Sequence, residues 1–124
     1  MLEYRRLTER IIGLAIEVHR TIGPGLLESV YADCLTEELR VAGIPCQREA
    51  PIPVIYKGKR LEKGFRADLL VDESVVVEVK AAAALTPIHD AQLLTYLRMS
   101  GLRVGLMFNF HAARLVDGMR RRIA

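Results

Sequence analysis

Apolar residues recur at Tyr4, Leu7, Ile11, Leu14, Ala15, Val18 and Ile22. Spacings of three and four put them on one stripe of an amphipathic helix. Gly23-Pro24-Gly25 breaks that helix. A second is expected from about Leu26 to Val41, with Gly43 as its stop and Pro45 preventing continuation. A β region follows. Gln47 to Tyr56 is extended, and Pro51 and Pro53 mark it as an edge strand or a bulge. Lys57-Gly58-Lys59 reads as a turn. Two segments, Arg66-Ala-Asp68-Leu-Leu-Val71 and Val75-Val-Val-Glu78-Val-Lys80, are apolar, β-branched and bounded by turn residues, so both read as strands. Thr86 can cap a third helix with Pro87 at its first position. That helix runs to about Ser100, and Gly101 ends it. Leu102 to Phe110 is another apolar strand. Leu115-Val116 and Arg121 to Ile123 leave room for a short strand or two. The order ααβββαβ with a β tail predicts an α/β fold, a mixed β-sheet flanked by helices. No repeat, low-complexity tract or linker divides residues 1–124, which are expected to form one domain.

The charges that interrupt this pattern carry the chemistry. If Asp72-Glu73-Ser74 forms the loop of a hairpin, Val71 faces Val75 and Asp68 falls opposite Glu78. The two carboxylates then share a face, with Cβ atoms roughly 5 Å apart. Such a pair repels unless a cation sits between its members. Lys80 lies two residues past Glu78 on the same face, about 7 Å along the strand. Two carboxylates able to hold a hard cation, with an ammonium beside them, suit hydrolysis of a phosphodiester. A loop of two or four residues would instead send the carboxylates to opposite faces. An ordinary edge hairpin with solvated charges is the plainer alternative. Val75, Val76, Val77 and Val79 speak against it, because a strand apolar on both faces is a buried central strand. Charges are rarely placed there without a use.

Composition narrows the class. Hydrophobic residues make up 51% of the 124 and charged residues 27%, the balance of a globular chain. No apolar run is long enough to span a membrane. Met-Leu-Glu-Tyr-Arg-Arg lacks the layout of a signal peptide, so a cytoplasmic protein is expected. Cys34 and Cys46 show no paired ligand spacing and read as reduced packing residues. The net charge of +3 permits an anionic partner without requiring one. The clearest basic cluster is Arg120-Arg121-Arg122, read either as a solvated tail or as a phosphate-contacting patch.

Other polar residues stay ambiguous from pattern alone. Glu28, early in the second helix, falls between Leu35 and Leu39 on the helical wheel. It can be a metal-seeking carboxylate or an acid placed against the helix dipole, and Glu38 is similarly misplaced. Gln92 and Tyr96 are four apart on the third helix and share a face with His89. That stripe can contact a phosphate or be a half-buried rim. His19, among Ile12, Ala15 and Ile16, reads as a hydrogen-bonded histidine at the core edge. His111 has no evident role. There is no glycine-rich phosphate loop, no zinc spacing and no Ser/His/Asp order. With aromatics at 6% and no Trp, a base-stacking platform is not evident.

Taken together, these residues resemble a known family. Asp68 followed by Glu78-Val79-Lys80 resembles the D…(D/E)xK signature of the PD-(D/E)XK nuclease superfamily. Gln92-Leu-Leu-Thr-Tyr96 looks like its QxxxY motif. Gly25-Leu-Leu-Glu28-Ser-Val-Tyr31 matches the motif that names the GxxExxY protein family, a small branch. Val18-His19, Tyr56-Lys57-Gly58 and Val104-Gly105-Leu106 leading into Asn109-Phe110 also look like that family, so the resemblance covers nearly the whole chain.

The resemblance implies a restriction-endonuclease-like core with Glu28, Asp68, Glu78 and Lys80 as the active constellation. Gln92, Tyr96 and Tyr31 would support it or position substrate. Asp68, Glu78 and the main-chain carbonyl of Val79 would hold Mg²⁺ or Mn²⁺, with Glu28 reaching it through water. The expected activity is metal-dependent cleavage of nucleic acid, DNA in particular. No membrane partner is expected, and a homodimer or larger assembly would enlarge the small surface available for substrate. The rival is a catalytically silent module that binds nucleic acid or protein on the same scaffold.

Overall fold

The computed structural model describes residues 2–124; Met1, the first residue of the run read for a leader, lies outside the described residues. The elements are α1 (Leu2–Ile22), α2 (Glu28–Val41), β1 (Cys46–Tyr56), β2 (Lys59–Val71), β3 (Val75–Lys80), α3 (Pro87–Ser100), β4 (Val104–Asn109) and β5 (Met119–Ile123), with a short 3-10 turn, Leu115–Gly118, before β5. The expected order is present. α2 starts at Glu28 rather than Leu26, because the glycine-rich break extends further. Among the described residues, no helix is long and apolar enough to cross a membrane.

The strands form one sheet in the order β1-β2-β3-β4-β5. β3 and β4 run parallel, joined by a crossover through α3, and the other neighbours are antiparallel. The proline-bearing β1 lies at an edge, where a missing N–H disturbs no second ladder. The valine-rich β3 lies at the centre, with every residue but Lys80 buried. α1 and α2 cover one face, where Ile11, Tyr31, Leu35 and Leu39 pack against Leu69, Val77, Val79 and Phe108. α3 covers the other, through Leu93 and Leu97 on Val76 and Met107. A sheet sandwiched between helices must be apolar on both faces at its centre.

Two turns set the register. Asp72 and Glu73 both have positive φ (51° and 55°), and the Ser74 amide donates to the Val71 carbonyl. Val71 therefore pairs with Val75, Leu70 with Val76 and Leu69 with Val77. This is the three-residue loop that puts Asp68 and Glu78 level with each other. At the far end of β2, Lys57 and Gly58 form a two-residue turn with positive φ at both, and Tyr56 pairs with Lys59. Those angles suit the right-handed twist of a hairpin.

Candidate active site

The β2–β3 ladder stops at Leu69 and Val77, one step before the two acids. Beyond it the strands part. Asp68 and Glu78 sit in the fork, level as expected but not closed into a ladder pair. The Val79 amide donates to Asp68 Oδ2 at 2.7 Å, and the Asp68 amide makes a long contact of 3.4 Å with Glu78 Oε2. Each carboxylate thus takes a backbone donor that the missing ladder leaves over. Carbonyl and amide of one strand residue point to the same side. The Val79 carbonyl therefore faces the fork, while the Lys80 carbonyl accepts from Phe110 on the β4 side.

Glu78 is 5% exposed. Burial, with the adjoining Asp68 carboxylate, pushes its pKa from 4.5 up to about 8; Lys80 opposes this more weakly. Without a cation, the pair therefore keeps a proton near neutral pH. A site that binds one positive charge where two carboxylates meet is of the kind a hard divalent ion can occupy, with water filling the remaining positions. The donor set fits such an ion. Among the described residues, no three His, Cys, Asp or Glu side chains converge closely enough to hold one together.

Glu28 bears on this last point. It is the first residue of α2, and its Oε1 accepts from the Ala81 amide at 3.3 Å. It lines a cleft of about 170 Å³ with Ser29, Arg48, Glu49, Asp68 and Val79. The structure thus brings Glu28 into the same cleft as Asp68 and Val79. Lys80 follows on the same strand, half-buried, and among the described residues no carboxylate lies within ion-pair distance of it.

Tyr96 reaches the site from α3. Burial, then the charges of Glu78 and Asp68, raise its phenol pKa, and its ring stacks on Phe65 at 3.8 Å. Gln92 lies one turn earlier and is exposed, so its amide is accessible. His89 is occupied at the helix start, where Nδ1 accepts from the Thr86 amide at 3.1 Å.

The structure makes one sequence-derived role specific and redraws another. Tyr31 does not reach the carboxylates. It is fully buried, stacks on Phe110 at 4.5 Å, donates to the Gly23 carbonyl at 2.6 Å and accepts from the Leu26 amide at 3.1 Å. It holds the 23–27 loop, which sets where Glu28 begins α2. The Arg120-Arg121-Arg122 run is neither a tail nor one patch. It lies in β5, whose alternation divides it. Arg120 and Arg122 pair with Asp90 of α3 at 3.7 and 2.9 Å, and Arg121 is left exposed.

Three residues at or near the cleft were given no role from the sequence. Arg48 on β1 lines the cleft, donating to the Asp68 carbonyl at 3.3 Å and to Asp33 at 3.0 Å. Asn109 clamps the bend after Lys80: Nδ2 donates to the Ala82 carbonyl, and Oδ1 accepts from the Ala82 and His111 amides. His111 in turn contacts the Leu26 carbonyl through Nε2 at 3.0 Å. The signal for Asn109 was a polar residue ending an apolar strand. Arg48 gave none, because its partners are distant in sequence.

A mixed five-stranded sheet between helices, with acids where two central strands part, defines a restriction-endonuclease-like fold. Residues 5–122 match the model of the PD-(D/E)XK nuclease superfamily, and the chain belongs to it. No curated protein and no solved structure matches the chain.

Proposed function

We propose that the protein is a divalent-metal-dependent nuclease that hydrolyses phosphodiester bonds in DNA. The observation that carries this is the convergence of Asp68 and the buried Glu78 in the β2–β3 fork beside an open cleft. Asp68, Glu78 and the Val79 carbonyl are the proposed ligands of Mg²⁺ or Mn²⁺, with Glu28 acting through water. Bound there, the ion supplies positive charge to a scissile phosphate and lowers the pKa of water. Lys80 orients the attacking water or stabilises negative charge gathering on the phosphate. Tyr96, held flat by Phe65, and the exposed Gln92 position the strand to be cut.

We place the chain in the GxxExxY branch. Gly25 has a φ of 106° that a side chain would strain, Glu28 reaches the Ala81 amide, and Tyr31 fastens the loop between them. The three motif positions act as one unit that presents Glu28.

The test is cleavage of linear, circular, single-stranded and branched DNA by the purified protein with Mg²⁺ or Mn²⁺, with Glu78→Gln as control. Metal-dependent cleavage lost in Glu78→Gln is expected. DNA binding without cleavage on any substrate would favour the silent module.

A further inference from the structure

The β1–β2 hairpin continues well past the sheet. β2 pairs with β3 only at Leu69, Leu70 and Val71, so among the described residues β1 is the only strand paired with its earlier part. Ile55 to Gly64 are all exposed. The ladder slips between Pro53 and Val54: Pro53 faces Gly64 but Val54 faces Leu61, which leaves Glu62 and Lys63 as a bulge. Gly64 makes the slip possible, since a Cβ there would run into the Ile52 carbonyl. A bulge bends a strand and strengthens its twist. The result is a twisted two-stranded arm about four residues, roughly 13 Å, beyond that point. Phe65, stacked on Tyr96, ties its base to the site.

The charge of the chain is concentrated in this arm. Residues 55–64 hold Lys57, Lys59, Arg60 and Lys63 against one acid, Glu62. That is four of the 18 basic residues and one of the 15 acidic ones, leaving fourteen of each elsewhere. The net +3 of the whole chain is therefore the net charge of these ten residues. Glu62 offsets little, lying 4.0 Å from Arg60 with both side chains mostly exposed.

We infer that the arm is a grip for double-helical DNA, inserted in the major groove beside the scissile strand. The inference rests on the nuclease reading for its placement next to Asp68 and Glu78. A B-form major groove is about 12 Å wide and 8.5 Å deep and admits a two-stranded β-ribbon. The major groove of an RNA duplex is too narrow and deep for side chains to read. Ile55, Tyr56 and Leu61 expose apolar surface on the arm, so a second copy of the chain is the competing occupant. Two arms meeting would bring eight cations together, which charge repulsion opposes.

The experiment measures binding in chelator, where no cleavage intrudes. Anisotropy titrations with a DNA duplex and an RNA duplex of the same sequence are run over a salt series. Wild type is compared with a variant carrying Lys57→Ala, Lys59→Ala, Arg60→Ala and Lys63→Ala. Expected is a preference for the DNA duplex, and a salt slope that falls by about 3 to 4 units in the variant. A second variant, Lys57→Arg, Lys59→Arg and Lys63→Arg, should keep the slope, which separates lost charge from a misfolded arm. An unchanged slope in the alanine variant, or equal affinity for RNA, overturns the inference. So does sedimentation showing a wild-type dimer that the alanine variant tightens without losing DNA. Cleavage by wild type is scored separately. Cleavage with an unchanged slope removes the arm and leaves the nuclease. A lost slope in a protein that cuts nothing removes the nuclease and leaves the arm.

Discussion

The fork and the arm are two ends of one strand that treat charge in opposite ways. At Asp68, β2 passes between helices, and its acid shares a buried site with Glu78, whose proton affinity rises until it holds a proton near pH 8. Five to nine residues earlier the same strand carries Lys59, Arg60 and Lys63 in open water. In the fork, charge is costly, so each acid is held by a named partner and the proton affinity of Glu78 is raised. On the arm, charge is cheap and exposed, with Glu62 beside Arg60 as its one acid. Such charge acts at long range and is screened by salt. A nuclease needs both: a perturbed site to do chemistry and an unperturbed surface to collect a polyanion.

The largest effect that would break this contrast is at Lys80, a cation on the buried side. Because Lys80 has no ion-pair partner among the described residues, its proposed work is on substrate. Lys80→Ala should lower the cleavage rate about 10²- to 10³-fold, as expected on removing one preorganised donor. Mn²⁺ binding, followed by calorimetry, should persist. If metal affinity collapses as far as it does in Asp68→Ala, Lys80 is a structural partner of the acids, and the division of labour in the fork is wrong.

The next effect tests the perturbed acid. Glu78 has a folded-state pKa near 8 against 4.5 for an ordinary glutamate. The folded protein therefore holds the proton more tightly than the unfolded chain. The stability this gives is complete below about pH 4.5 and is lost as pH rises through 8. Between pH 6 and pH 9 the loss should be about 2–3 kcal/mol in chelator. Denaturant unfolding at the two pH values reads it directly. Glu78→Gln should flatten the difference, because the amide does not titrate. Added Mg²⁺ should stabilise the wild type most at the higher pH, where Glu78 is ionised. A wild-type profile as flat as that of Glu78→Gln would mean that Glu78 is solvated and the fork is an ordinary surface.

Much of the fork was legible in the sequence for a physical reason. Four valines around Glu78 demand a two-sided burial, and only a central strand supplies it. The three-residue break then fixes which residue lies level with Glu78. The parting of the strands was not legible, because ladder ends depend on how a sheet twists over its helices. The contacts of Tyr31 were not legible for a related reason. Its motif spacing from Glu28 is local, but its hydroxyl partners, Gly23 and Leu26, belong to a loop whose path is fixed only on folding. The arm was half legible: its turn residues stood out, but its projection depends on where β3 ends. The C-terminal arginines misled because a run of like residues looks like one patch, whereas a strand deals them to two faces.

Those arginines provide the smallest effect and the sharpest control for the arm. Arg120 and Arg122 are about one-third exposed and share Asp90, so their charge is already spent inside the protein. Replacing both by alanine should leave the salt slope of DNA binding almost unchanged. Stability should fall by no more than about 1 kcal/mol, the range of a partly exposed ion pair. Arg121→Ala, on the outward face, should lower the slope by at most about 1 unit. Four cations on the arm should therefore outweigh three on β5 by about threefold or more, although the two clusters look alike in the sequence. Equal slopes for the two replacements would show that exposure and pairing do not decide which charges meet DNA. The contrast between fork and arm would then lose its electrostatic basis.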